Sequence, residues 1–186
     1  MSSMRKALST LAGVMAVAMF AVTAGAQTMK QTGMGKGGSP HVKTEWTRAG
    51  ANVAIEYGRP FFKGRQQGTL MPVGQVWRTG ADEATVITTA KPLTFGKVVL
   101  APGSYTINTQ PGTQDWQIIF GKLAQPKQWG VPYQAPLEIG RAPMKLGKIK
   151  APVEQVTYSI DPSKTGGTLR IEWGTTSAST TFTVGK

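Results

Sequence analysis

Gly166-Gly167-Thr168-Leu169-Arg170-Ile171-Glu172-Trp173 is the stretch from which the fold is read: two glycines suited to a hairpin tip, then Leu169, Ile171 and Trp173 alternating with polar neighbours. A period of two places the large apolar side chains on one face, as expected of a strand with one side buried and the other in water. The same alternation recurs in Val53, Ile55 and Tyr57, in Trp116, Ile118 and Phe120, and in Phe182 and Val184. Ala101-Pro102-Gly103-Ser104 and Gln110-Pro111-Gly112-Thr113 each set proline before glycine, the chemistry of a type II turn. After the first residues no helical period runs free of proline and glycine, so helix is expected for a turn or two at most, around residues 121–128. These signals predict an all-β fold, a single antiparallel β-sandwich with little helix; a jelly roll is one arrangement that fits, and strand order is left open.

The chain has 186 residues. Its beginning reads as an export signal: Arg5 and Lys6 supply positive charge, Leu8 to Val22 is largely apolar, and Ala24-Gly25-Ala26 offers a small-residue cleavage site. Residues 1–26 are therefore expected to be removed, leaving a 160-residue protein with no transmembrane span. Residues 27–40 lack the apolar residues to form a core and are expected to form a flexible leader, with the folded β-domain spanning residues 41–186. With no cysteine the fold must be held by core burial alone.

Of 21 basic and nine acidic residues the signal carries two basic ones, so the mature charge is 19 minus 9, or +10. Such a balance favours anionic surroundings, including an envelope surface, although it also serves solubility. Nucleic acid is not expected as a partner, because export and the absence of a recognised motif speak against it. No cofactor or metal is expected: the lone histidine, His41, stands at the leader boundary and is read as solvated, and the carboxylates are few and scattered.

The candidate site is polar. Trp77-Arg78-Thr79-Gly80-Ala81-Asp82-Glu83 precedes a strand-like run and reads either as a rim loop in which Arg78 binds an anionic or carbonyl group, or as an internal arginine–carboxylate brace. Glu154 shares parity with Val156, Tyr158 and Ile160, so a regular strand turns it inward, where it needs a cation; Arg59, Arg65 and Arg78 are the candidates. The expected ligand-binding set is Arg59, Arg65, Arg78 and Glu154, with Asp82, Glu83 and Trp77 at the rim. Tyr57 and Trp173 are expected in the core, whereas Trp77, Trp129 and Tyr133 sit in loop-like surroundings. Lys122, Lys127, Arg141, Lys145, Lys148 and Lys150 form a basic stretch that reads as a solvated face or an anionic-surface contact.

Tyr57-Gly58-Arg59-Pro60, Lys63-Gly64-Arg65 and Val76 to Thr85, together with Ala101 to Tyr105, Trp116 to Phe120, Trp129-Gly130 and Glu172-Trp173, resemble the exported bacterial family catalogued as domain of unknown function 2911. Asp82 departs from the asparagine that the resemblance implies there, adding a charge beside Arg78. The resemblance implies one exported domain and carries no activity.

The leading expectation is a non-enzymatic domain binding a small anionic or carbohydrate-like ligand, or an envelope component, through the Arg/Glu site. One alternative is a hydrolase or lyase that acts on a glycan-like substrate with paired carboxylates drawn from Asp82, Glu83 and Glu154. The other is a structural envelope module with no ligand.

Overall fold

The computed structural model describes residues 27–124 and 133–186. The expected signal segment, Lys127 and Trp129 lie outside the described residues. Each alternating run becomes a strand whose large side chains point one way. Strands β1 (Thr28–Met34), β2 (Pro40–Arg48) and β3 (Ala51–Gly58) lead to a short helix, α1 (Gln67–Leu70). Strands β4 (Thr85–Thr89), β5 (Leu93–Phe95), β6 (Val98–Leu100), β7 (Gly103–Pro111) and β8 (Asp115–Lys122) follow. A 3-10 turn (Ala135–Leu137) then enters β9 (Glu138–Gly147), and β10 (Val153–Pro162), β11 (Gly166–Gly174) and β12 (Thr176–Val184) complete the chain.

The expected all-β, antiparallel class is what forms. All twelve strands belong to one hydrogen-bonded sheet, ordered β1-β2-β3-β4-β7-β8-β9-β12-β11-β10, with β5 and β6 attached at β12. The sheet curls until β10 meets the segment that follows β3. Phe61 bridges Gln155, Phe62 N–H donates to Glu154 O at 2.6 Å, and Val156 N–H reaches Pro60 O at 3.4 Å. Two arginines complete this closure: Arg48 Nη2 donates to Ile160 O at 3.3 Å, and Arg59 Nε donates to Val156 O at 2.9 Å. Backbone groups at an edge that would otherwise template further pairing are thereby satisfied.

Inside the curl, Trp46, Phe95, Phe120, Tyr158, Ile55, Ile87, Ile107 and Ile118 are essentially sealed from water. Each such side chain contributes about 1.5–3 kcal/mol of transfer free energy, and here that burial stands in for disulfides. Phe95 touches both Phe120 and Phe182, with ring centroids 4.6 and 5.2 Å away. Tyr57 and Trp173 are core residues, as expected.

Three local expectations change. Residues 27–40 are not a free leader, since Thr28–Met34 pairs with β2 as an edge strand, fully exposed, and Trp46 Nε1 donates to Gln27 Oε1 at 3.1 Å. The segment contributes backbone pairing without core, which an apolar count does not register. Helix occurs at 67–70 and 135–137; residues 121 and 122 are strand, and the remainder of the expected 121–128 helix has only 123 and 124 described, neither helical. Gly166 and Gly167 begin β11 rather than form the hairpin tip, which falls at residues 163–165. Among the described residues no helix is long and apolar enough to cross a membrane.

Candidate functional site

The ends of the strands define two rims. At one of them lie the start of β2, the end of β3, the start of β4, the β7–β8 turn, the end of β9 and the β11–β12 turn. The long 59–84 connection crosses this rim, and every side chain expected for the site is on it or beside it.

Within that connection Trp77 pairs with Thr109 of β7: Trp77 N–H donates to Thr109 O at 2.7 Å and Thr109 N–H returns to Trp77 O at 2.8 Å. The Trp77 indole stacks on Trp173, with ring centroids 5.4 Å apart and planes within 11°. Trp77 is thus a half-buried part of the end cap rather than a free platform. Thr79 follows with φ +57°, a left-handed conformation that a β-branched residue rarely accepts, and Asp82 has φ +62°. Backbone of this kind costs on the order of 1–3 kcal/mol and persists where its surroundings over-determine it. Thr79 is held in that way. Its hydroxyl contacts Trp77 O and Thr109 Oγ1, while its carbonyl accepts from Thr85 Oγ1 and from the hydroxyl of Tyr158. Tyr158 is fully buried, and desolvation pushes its hydroxyl well above the ordinary tyrosine pKa, so it keeps the proton that it donates to Thr79 O. Gly58 lets the loop approach β3: a Cβ there would stand 2.3 Å from Ala81 O, whose own N–H donates to Gly58 O.

The histidine read as solvated is instead the hub of the rim. His41 Nε2 lies 2.8 Å from Asp82 Oδ2 and Nδ1 lies 2.9 Å from Glu83 Oε2, with the imidazole only 17% exposed. Carboxylates only accept, so both hydrogen bonds form when the ring carries two protons or one acid keeps its own. Because the acids sit on opposite edges of the ring they do not converge on a point, and among the described residues no cluster of three such groups could hold a metal ion. Gly35, in the β1–β2 turn, packs on this pair: a Cβ there would be 1.8 Å from Asp82 Oδ2 and 2.9 Å from His41 Nε2. The clue in the sequence was the acidic pair Asp82-Glu83; that it meets His41 depends on pairing 41 residues apart.

The three arginines do not converge. Arg59 is a brace, donating to Val156 O and, through Nη2, to Thr157 Oγ1 at 2.9 Å. Arg65 folds back on its own loop, donating to Phe62 O at 3.1 Å and to Phe61 O, with its guanidinium 5.9 Å from the Trp173 ring centroid. Arg78 is half-buried and makes no hydrogen bond or ion pair among the described residues. Glu154 departs from expectation. Its side chain is exposed and accepts from the Lys63 backbone N–H at 2.9 Å, not from an arginine. The β10–β11 register shifts between Val153 and Thr157, so strand parity does not extend back to Glu154.

Beside this cap is a groove of about 330 Å³. Met71 and Trp116 form its buried floor, Val73 and Leu146 its walls, and Thr175 and Thr176 its polar corner. Val73 is 58% exposed and Leu146 40% exposed, although Leu146 continues the inward row of Ala142 and Met144. Pro111 and the glycines Gly68, Gly112 and Gly147 complete the lining.

On the outer face of β7–β9, Arg141 grips Glu138 with two bonds, Nε to Oε1 at 2.7 Å and Nη2 to Oε2 at 2.9 Å. It also reaches Gln110 Oε1 at 2.6 Å and the Tyr133 hydroxyl at 3.1 Å. The Arg141 hydrogen bonds hold the Glu138 carboxyl below its ordinary pKa, and Glu138 raises that of Arg141 in turn. Sequence reading saw here only a basic stretch around a lone acid. That stretch is not one patch: Lys122 and Lys145 stand at opposite ends of the β8–β9 pair, where Gly121 opposes Glu138 and Asp115 opposes Lys145.

A single curled antiparallel sheet whose long connection caps one end, with an apolar groove beside that cap, defines an all-β domain. Residues 39–182 match the family described as protein of unknown function (DUF2911), and the chain belongs to that family. Searches of the curated proteins and of the solved structures returned no match.

Proposed function

We propose that the protein is an exported, non-enzymatic binding domain that takes a small ligand in the groove at its capped end. The groove carries the reading. Its size lies within the ~300–1,000 Å³ typical of small-molecule sites, and Val73 and Leu146 leave large apolar surface in water at a concave position. The lining is tethered as well, since Gly74 N–H, next to Val73, donates to the lining Pro111 O at 2.8 Å.

The arginine cluster expected from the sequence is a weaker seat, because Arg59 and Arg65 spend their donors on backbone carbonyls and Thr157. Among the described residues Arg78 is the cation of that set without a hydrogen bond or ion pair. Catalysis by paired carboxylates has less support still, as Asp82 and Glu83 both face His41 and Glu154 faces solvent. Export rests on the charged, apolar and small-residue pattern of residues 1–26.

Two measurements test this. Protein recovered from outside the cytoplasm is expected to begin at Gln27; retention of residues 1–26 inside the cell overturns export. In a thermal-shift screen of organic acids, oligosaccharides and lipids, a ligand at a hundred times its Kd stabilises by about 2.7 kcal/mol. Val73→Glu is expected to abolish that shift and leave the unliganded Tm unchanged, and a shift insensitive to it overturns the groove.

A further inference from the structure

Resting on the groove reading, we propose that the ligand is an anionic single-chain amphiphile, an aliphatic body ending in a carboxylate or similar anion, rather than a sugar. Sugar recognition needs amide, carboxylate or guanidinium side chains that pair with neighbouring hydroxyls, together with an open aromatic face. None of the ten lining residues carries such a polar group, and the indole that reaches the groove, Trp116, is only 5% exposed. The apolar side chains of the lining are those of Met71, Val73, Pro111, Trp116 and Leu146, with Thr175 and Thr176 beside them. Methylene groups match that lining, and a flexible thioether such as Met71 adapts to them.

The charge on the rim selects the other end of the molecule. Lys145 precedes Leu146, and Lys148 and Lys150 lie on the connection from Gly147 to Val153, which pairs with Gly174 beside Thr175. All three lysines are exposed, and none makes an ion pair among the described residues. Asp115 opposes Lys145 in the β8–β9 register, which leaves Lys148 and Lys150 as the uncompensated cations. Lys145 and Lys148 flank the lining pair Leu146-Gly147, so exposed lysines stand on the residues next to an apolar trough that would bind a chain by burying methylenes and orient it by its charged head.

The probe is decanoate below its micelle concentration, titrated by calorimetry into the 27–186 protein, with decanol and a cello-oligosaccharide in parallel. Decanoate is expected to bind at least tenfold more tightly than decanol. Val73→Glu is expected to abolish binding, and the Lys148→Glu, Lys150→Glu double variant to reduce decanoate to the decanol level. Equal affinity for decanol and decanoate overturns the anionic head, and oligosaccharide binding sensitive to Val73→Glu with no decanoate binding overturns the amphiphile while sparing the groove. If no compound in this set or the broader thermal-shift screen responds to Val73→Glu, the groove reading falls as well.

Discussion

The hydroxyl of Tyr158, buried in the centre of the core, donates to the carbonyl of Thr79 at 2.9 Å and so ties a core strand to the most strained residue of the capping loop. Tyr158→Phe keeps the ring and its edge contact with Tyr57 while removing this bond. Thr79 O still accepts from Thr85 Oγ1 at 3.2 Å, so no buried carbonyl is orphaned. The expected loss is about 1 kcal/mol, the net worth of one such bond. Denaturant titration measures the loss, and faster amide exchange at Thr79 and Ala81 than elsewhere in the sheet would place it in the loop.

Gly35 is where β1 is locked to the domain. Gly35→Ala drives a methyl group into the His41–Asp82 contact, so the hydrogen bond or the turn must give way. Exchange of the β1 amides is expected to quicken at least tenfold, while β7 and β8 stay protected. His41→Ala is expected to loosen the same strand without a clash, because it releases both Asp82 and Glu83. Unchanged β1 protection in both variants would show that pairing with β2 alone holds the segment.

Much of the fold was legible because strand parity is a local property. Val53, Ile55 and Tyr57, and Leu169, Ile171 and Trp173, all face the core as their alternation requires. Glu154 was misread for the same reason, since parity assumes a regular strand and the register shift near Val153 is a matter of tertiary pairing. The density of Arg59, Arg65, Asp82 and Glu83 did mark one rim of the sheet. What each of them does there was not legible, because an arginine that satisfies a carbonyl and one that awaits a ligand have the same spelling. His41 shows the converse, being isolated in sequence and central in space. The groove left no signal beyond two ordinary apolar residues, Val73 and Leu146, separated by 73 positions.

The Glu138–Arg141 pair makes a pH-dependent contribution to stability. Arg141 lowers the folded-state pKa of Glu138 below its unfolded value, so the contribution is fully present above the unfolded carboxyl range, ~4.3, and disappears as pH falls through the lowered folded value. Glu138 and Arg141 are 21% and 31% exposed, so solvent screening keeps the contribution to about 1 kcal/mol or less. Glu138→Gln is expected to cost this amount at pH 7 and nearly nothing at pH 2. Urea titrations of both proteins across that range read the difference, and a gap that does not narrow on acidification would contradict the assignment.

Arg59 fastens the segment that follows β3 to the edge strand β10, and its planar fork reaches Val156 O and Thr157 Oγ1 together. Arg59→Ala removes one donor from the Val156 carbonyl and one from the Thr157 hydroxyl on an edge strand, with an expected cost of about 1–3 kcal/mol. Arg59→Lys is expected to restore less than half of that, because a single ammonium cannot reproduce the two directions of the fork. If Arg59 were instead a ligand-binding cation, the alanine variant would keep its stability and lose ligand affinity. The structure therefore predicts the opposite pairing: a lower denaturation midpoint and faster exchange along β10, with the affinity of any groove ligand unchanged within twofold.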